Sequence, residues 1–295
     1  MPGQNLTREE ASQRAELISV DSYEITLKLS ADSETFFSQT KVSFQANEGT
    51  ESFIDASAEE IHLIELNGEI LPTSNFSDHR IQLPNLQEQN TLVIEGTFGY
   101  TNSGEGLHKF VDPVDGETYL YSQFEVPDSR RVFAVFEQPD LKASFQFNVS
   151  APNHWVVTSN SATPEAEEIG DGYARWTFSP TPRISSYITA IIAGPYLSWS
   201  DSLTSSSGKE IPLGVFCRKS LAEYMDADYI FEKTKQGFEF YEKLFDHPYP
   251  FEKYDQLFVP EFNAGAMENA GAVTFVESYV FRSKVTDATR ERRVV

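Results

Sequence analysis

Residues 22–29 read Ser22-Tyr23-Glu24-Ile25-Thr26-Leu27-Lys28-Leu29. Tyr23, Ile25, Leu27 and Leu29 alternate with Glu24, Thr26 and Lys28, and a period of two puts the apolar set on one face of a half-buried strand. Val42, Phe44 and Ala46 repeat the pattern, and a turn-forming Asn67-Gly68 separates the apolar runs 61–66 and 70–71. Residues 91–98, 145–149, 155–158 and 174–178 continue the series. Many short strands with turn signals between them predict a mainly β fold, an antiparallel sandwich or saddle, as far as Gly194-Pro195. Before it, residues 7–17 read as a short helix or a frayed end.

Past this point the pattern changes. The Ser- and Gly-rich segment 201–208 reads as a hairpin loop or linker, followed by one more strand over 211–217. Ala227, Phe231, Thr234, Phe238, Tyr241 and Phe245 then step by four and three, which places them on one face of a helix. His247-Pro248-Tyr249-Pro250 stops it, because proline neither donates to the helical ladder nor tolerates helix in the residue before it. A strand over 255–259 leads into a Gly- and Ala-rich segment and another apolar run, 272–275. Thr286 reads as the N-cap of a last helix that reaches Val294-Val295 without a stop signal, so the chain reads as the front of a longer protein. Two domains are expected: 1–196, the β-saddle, and 197–295, the beginning of a second, α+β domain.

Composition bounds the function. The 295 residues carry 45 Asp plus Glu against 23 Lys plus Arg, a net charge of −22. Phosphate neutralisation needs clustered cations, so nucleic acid is an unsuitable partner, and so is an anionic membrane surface. No apolar run approaches the roughly 20 residues of a membrane-spanning helix, and no secretory signal opens the chain, so a cytoplasmic location is expected. The single cysteine, Cys217, reads as a buried structural thiol. None of the five histidines, His62, His79, His108, His154 and His247, has a second histidine at zinc-ligand spacing, and each reads as a surface or turn residue. His62 and Glu65 sit three apart in a strand, which sends them to opposite faces.

Two segments remain as candidate sites. In Ala264-Gly265-Ala266-Met267-Glu268-Asn269, small residues surround a carboxylate at the end of a strand. A peptide laid antiparallel along that backbone could make main-chain hydrogen bonds while Glu268 pairs with its free α-ammonium. A Gly-rich bulge with an exposed glutamate is an equal reading of the same residues. In Gln123-Phe124-Glu125, the two polar residues would share one strand face opposite Phe124. An ordinary solvated strand face is the plainer reading there.

Together these segments resemble the M1 family of zinc aminopeptidases. Gly265-Ala266-Met267-Glu268-Asn269 matches the family's exopeptidase motif letter for letter, and Tyr121 to Glu125, Arg130 to Phe133, Gln138 to Phe145, Thr181 to Gly194 and Phe245 to Tyr254 resemble further family blocks. The run Gly104 to Gly116 is similar to the aminopeptidase N branch of actinobacteria. The resemblance implies a thermolysin-like fold for the second domain, and peptides with a free N-terminus as partners. It assigns the substrate amine to Glu268, Glu125 and Gln123, the peptide bond to the backbone of Ala264 to Met267, and counts Asn269 with them among the substrate-binding residues. It also implies zinc in the full-length enzyme. The His-Glu-x-x-His helix, the downstream glutamate ligand and the oxyanion tyrosine do not occur before Val295. The chain by itself is therefore expected to hold no metal, to have no catalytic residue and to be inactive, with apolar surface near Phe231, Phe238 and Phe275 free for self-association. Rival readings are a non-catalytic module that binds peptide N-termini, and an epoxide hydrolase of the leukotriene A4 hydrolase type, against which Glu125 argues.

Overall fold

The computed structural model describes residues 5–292. The last-helix expectation for Val294-Val295 lies outside them. The described residues form four sheets. The largest has eight strands in the order Glu167–Gly170, Tyr173–Thr177, Ser144–Pro152, Ile18–Lys28, Thr35–Ala46, Gln89–Gly99, Glu60–Leu66, Glu69–Ile70. Its pairings are antiparallel except at the centre, where Ile18–Lys28 runs parallel to Ser144–Pro152 with Ser22 opposite Ser144. A parallel pair needs a long crossover, and the intervening strands and loops supply it. The alternation of 22–29 is realised: Tyr23, Ile25, Leu27 and Leu29 are all buried. Tyr23 stacks on Phe145 at 4.8 Å between ring centroids, and Phe133 packs edge-on against Phe124, Phe145 and Phe147.

The helix Arg8–Leu17 starts at a capping box in which Thr7 accepts from the Glu10 amide and Glu10 accepts from the Thr7 amide. Buried Arg14 pins it down by donating to Asp55 at 2.7 Å and to Gln138 at 3.1 Å. A bulge between Ile61 and Leu63 shifts the alternation of that strand, leaving His62 exposed and Glu65 half-buried, so the simple opposite-face reading of the two does not hold.

A second, four-stranded sheet has the order Val156–Ser159, Ile191–Gly194, Thr118–Gln123, Gly106–Val111. A three-stranded one joins Ser52–Asp55, Arg80–Leu83 and Phe76–Ser77. The remaining sheet has five strands: Leu197–Thr204, Glu210–Cys217, Tyr254–Val259, Ala272–Val276 and, at the edge, Ala266–Met267. The Ser-rich segment is thus a hairpin whose strand runs through Thr204, leaving only a short turn near Gly208.

The helix Ala227–Phe245 packs on this sheet through Ala227, Ile230, Phe231 and Thr234. It ends at Asp246 in a left-handed conformation, ahead of Pro248. Its apolar face is covered only in the first half. Phe231 is buried, contrary to the expectation that it is uncovered, whereas Phe240, Tyr241, Leu244 and Phe245 are exposed. Phe238 and Phe275 are half-buried and line, with Tyr241, Phe245 and Tyr249, an open cavity of about 580 Å³.

The four- and five-stranded sheets meet across a shared core of Tyr119, Tyr121, Ile192, Tyr196, Leu257, Val259, Phe262, Met267 and neighbours. Polar bonds reinforce the junction. Asn160 donates to the carbonyls of Ile188 and Ala270, both at 2.9 Å, and buried Lys253 donates to Thr158 at 2.9 Å and pairs with Asp255.

Candidate functional site at the outer edge of the five-stranded sheet

The central strand Tyr254–Val259 runs parallel to Ala272–Val276, and the chain between them must double back. It does so through Glu261, whose φ of 55° is left-handed, and Phe262, which turns inward to pack on Tyr121 at 5.7 Å. Ala266 and Met267 then pair antiparallel with Phe275 and Thr274, and the Gly265 carbonyl accepts from the Val276 amide at 3.0 Å. The return is made by Gly271, at φ 72° and with a carbonyl of Asn160 only 2.5 Å from where a Cβ would stand. No side chain fits there.

Alternation along this edge sorts the motif. Met267 and Asn269 are buried; Ala264, Gly265, Ala266 and Glu268 are exposed. Met267 anchors the strand in the shared core, while Ala266 and Glu268 face outward from the last strand of the sheet. Such an edge presents unpaired backbone groups, and small residues let another chain approach. Glu268 has no hydrogen bond or ion pair with any described residue, so its carboxylate is open to a cation. Asn269 donates to Thr274 Oγ1 at 3.4 Å, and its Oδ1 is buried without a partner. A cleft of about 440 Å³ lined by Glu261, Phe262, Val276, Glu277 and Arg282 adjoins the edge.

Gln123 is the last residue of its strand, opposite Gly106, and its Oε1 is buried and unpartnered. The expected strand face shared with Glu125 is not formed. The strand ends at Gln123 and Glu125 stands exposed in the following turn, because the chain is bending toward Pro127, which cannot donate to a ladder. The structure brings the Gln123 strand against the motif through Tyr121, which shares a core with Met267. Glu125 makes no hydrogen bond or ion pair with the described residues of the motif.

Several residues near this edge were not picked out by sequence reasoning. His108, expected at the surface, is 1% exposed in the strand Gly106–Val111. It stacks on Tyr121 at 4.8 Å, accepts from the Gly104 amide at Nδ1 (3.0 Å), and presents Nε2 to Glu261 Oε2 at 3.2 Å, off the ideal hydrogen-bond line. Burial lowers its pKa, with Glu261 opposing. Burial likewise raises the Tyr121 hydroxyl. Arg218 bridges Asp112 and Glu277, at 2.6 Å to each, and so ties the end of Ala272–Val276 to the four-stranded sheet. Burial raises the Glu277 carboxyl, with Arg218 opposing. Cys217 is buried as expected, and burial pushes its thiol up to about 12.

Among the described residues no three His, Cys, Asp or Glu side chains come together as a group able to hold a metal ion. His62 bonds to Thr97, His108 faces Glu261, and His154 lies against Trp155. These residues do not fit a zinc site.

Comparison with known proteins gives this geometry a context. The description "Peptidase M1 N-terminal domain" matches residues 19–188, and "Peptidase family M1 domain" matches 229–295. The chain belongs to peptidase family M1. The M1 chain is 60% identical over 298 residues to aminopeptidase N of Streptomyces lividans, covering 99% of the chain and 34% of that protein. It is 31% identical over 211 residues to aminopeptidase N of Acetobacter pasteurianus, covering 70% of the chain and 57% of the relative. It is also 31% identical over 177 residues to aminopeptidase N of Mus musculus, 59% of the chain and 18% of the relative. The M1 chain thus spans well under two thirds of the length of these relatives. The family is zinc-dependent, and the M1 chain's described residues lie outside any metal group. No helix of the described residues is long and apolar enough to cross a membrane.

Proposed function

We propose that this chain is the α-amine recognition part of an M1 aminopeptidase, which removes N-terminal residues from peptides. The observation that carries the reading is the outermost strand Ala266–Met267, with Ala266 exposed and Met267 anchored in the core, followed at once by the exposed carboxylate of Glu268, which pairs with no described residue. A peptide added as a further antiparallel strand gains main-chain hydrogen bonds to residues 264–267, while its ammonium meets Glu268. Gln123, with a buried amide oxygen that lacks a partner among the described residues, supplies a second acceptor, and Glu125, exposed two residues further on in the turn, supplies a second carboxylate. An internal peptide has no charge to offer these groups, so the arrangement selects free N-termini. Residues 1–196 act as the wall that holds Gln123, and the region from 197 on supplies the edge. The relatives named aminopeptidase N support the aminopeptidase class, and hydrolysis by these 295 residues alone is not expected because their sequence carries no His-Glu-x-x-His.

Calorimetric titration with tri-alanine and its N-acetyl form tests the proposal. The free-amine peptide binds and the acetylated one does not. Removing the carboxylate in Glu268→Ala deletes a charge-assisted hydrogen bond worth about 1.5–3 kcal/mol, a loss of roughly 10- to 100-fold in affinity. Equal binding of both peptides, or an unchanged affinity in Glu268→Ala, refutes it.

A further inference from the structure

The loop that delivers the motif to the sheet edge is held from the other side of the shared core, and by one hairpin. The strands Gly106–Val111 and Thr118–Gln123 pair with His108 opposite Tyr121 and Gly106 opposite Gln123. The turn before them, at Ser103 and Gly104, reaches the loop through the Ser103 carbonyl, which accepts from Asn263 Nδ2. The Tyr121 hydroxyl donates to the Glu261 carbonyl at 3.4 Å, its ring packs on Phe262, and His108 Nε2 lies 3.2 Å from the Glu261 carboxylate. Because the Gly104 amide donates to Nδ1, the neutral ring carries its proton on Nε2, facing that carboxylate. Glu261 is the residue under backbone strain: φ 55° is uncommon for a side chain with a Cβ and persists where surrounding contacts over-determine it. Its side chain is 57% exposed, so its own burial does not fix the turn; the groups that meet it are His108 Nε2, close to the carboxylate but off hydrogen-bond alignment, and the Tyr121 hydroxyl at its carbonyl.

We propose that His108 is a positioning residue for the amine-recognition edge: by engaging Glu261 it fixes the left-handed turn that sets where residues 264–268 lie relative to Gln123. The same hairpin carries Gln123 on one strand and grips the motif's approach with the other. Loosening the grip changes the distance between the two groups that meet the ammonium, without touching either. The consequence for binding rests on the proposed amine recognition; the grip itself does not.

The experiment separates the two. Hydrogen–deuterium exchange of the ligand-free chain is followed at the amides of 261–268 in wild type, His108→Ala, Glu261→Ala, and the length-preserving His108→Gln and Glu261→Gln, with tri-alanine affinity measured alongside. His108→Ala opens a buried site, so Glu261→Ala, altered only at an exposed side chain, carries the decision if the first fails to fold. Expected are exchange faster by about tenfold confined to 261–268 and affinity weaker by about tenfold or more in the alanine variants, both largely restored by glutamine. Wild-type exchange of this loop in Glu261→Ala overturns the proposal, and so does faster exchange with unchanged affinity. If the wild type fails to distinguish free from acetylated peptide while the loop still responds to Glu261→Ala, the grip stands and the amine-recognition reading falls.

Discussion

The junction that holds the edge can be broken at one pair. Lys253 and Asp255 are 4% and 7% exposed, face each other as an ion pair, and share Thr158, which receives from Lys253 at 2.9 Å and donates to Asp255 at 3.1 Å. Thr158 belongs to the four-stranded sheet and Asp255 to the five-stranded one, so the triad spans the shared core. In Asp255→Ala the ammonium of Lys253 stays buried with only a hydroxyl beside it. Breaking a buried pair from one side costs about 3–5 kcal/mol, because the remaining charge is uncompensated. At roughly 2–4 °C per kcal/mol for a chain of this size, Tm falls by about 10 °C. Thermal unfolding followed by calorimetry reads this directly.

The sign of the pH dependence follows from burial, which lowers the Lys253 pKa, with Asp255 opposing. Without Asp255 the folded lysine binds its proton more weakly than the unfolded one, whose value is near 10.5. The unfolded state then holds more protons, so Asp255→Ala gains stability as pH rises toward 10.5; the wild type, whose Lys253 is lowered less because Asp255 opposes, gains less, and the deficit shrinks with rising pH. The double variant Lys253→Met/Asp255→Leu, apolar on both sides, recovers most of the loss. A penalty below about 1 kcal/mol in Asp255→Ala, the range of an exposed pair, refutes the reasoning.

Three further outcomes follow from the same structure. Glu10, held down to about 2 by Arg80 first and by the Thr7 cap, stabilises the helix Arg8–Leu17 above 4.5 and loses that contribution as pH falls toward 2. Since the carboxylate is partly solvated, Glu10→Gln costs about 1 kcal/mol at pH 7 and flattens the acid limb of the stability curve; an unchanged limb contradicts this. Gly271→Ala forces a methyl against the Asn160 carbonyl at a left-handed φ and destabilises by about 1–3 kcal/mol, read as a fall in Tm; wild-type stability contradicts the close approach. The exposed aromatic end of Ala227–Phe245 drives concentration-dependent self-association that Tyr241→Ser/Phe245→Ser abolishes; a monodisperse monomer in light scattering at all concentrations contradicts it.

Local patterns were legible in the sequence because they record local physics. The alternation Tyr23 to Leu29, the turn at Asn67-Gly68, the Thr286 cap and the stop at Pro248 all appear where side-chain periodicity or backbone chemistry puts them. The parallel pairing of Ser22 with Ser144 was not legible, since nothing local records which distant strand completes a sheet. Glu125 was misplaced because alternation was carried past Gln123 into a turn, although Pro127 gave warning of the bend. His108 was missed for a different reason. Gly104, Gly106 and Asp112 make its neighbourhood read as a loop, and its partners Tyr121 and Glu261 come from other strands. Leu107 and Phe110 on either side were the signal that this run is a buried strand. For the site, the sequence named the motif and the carboxylate. The structure adds that Ala266 and Met267 form the outermost strand, with Met267 as anchor and Glu268 just past its end.

The central claim is that the edge of residues 264–268 reads a free N-terminus. Its most direct test is an NMR titration of the 295-residue chain with tri-alanine and with N-acetyl-tri-alanine, following backbone amides and the Gln123 side-chain amide. The account predicts saturable shifts concentrated at Ala264 to Asn269 and Gln123 with the free-amine peptide, and none with the acetylated one. Equal shifts with both peptides, or shifts centred instead on the Phe238 and Tyr249 cavity, would contradict it.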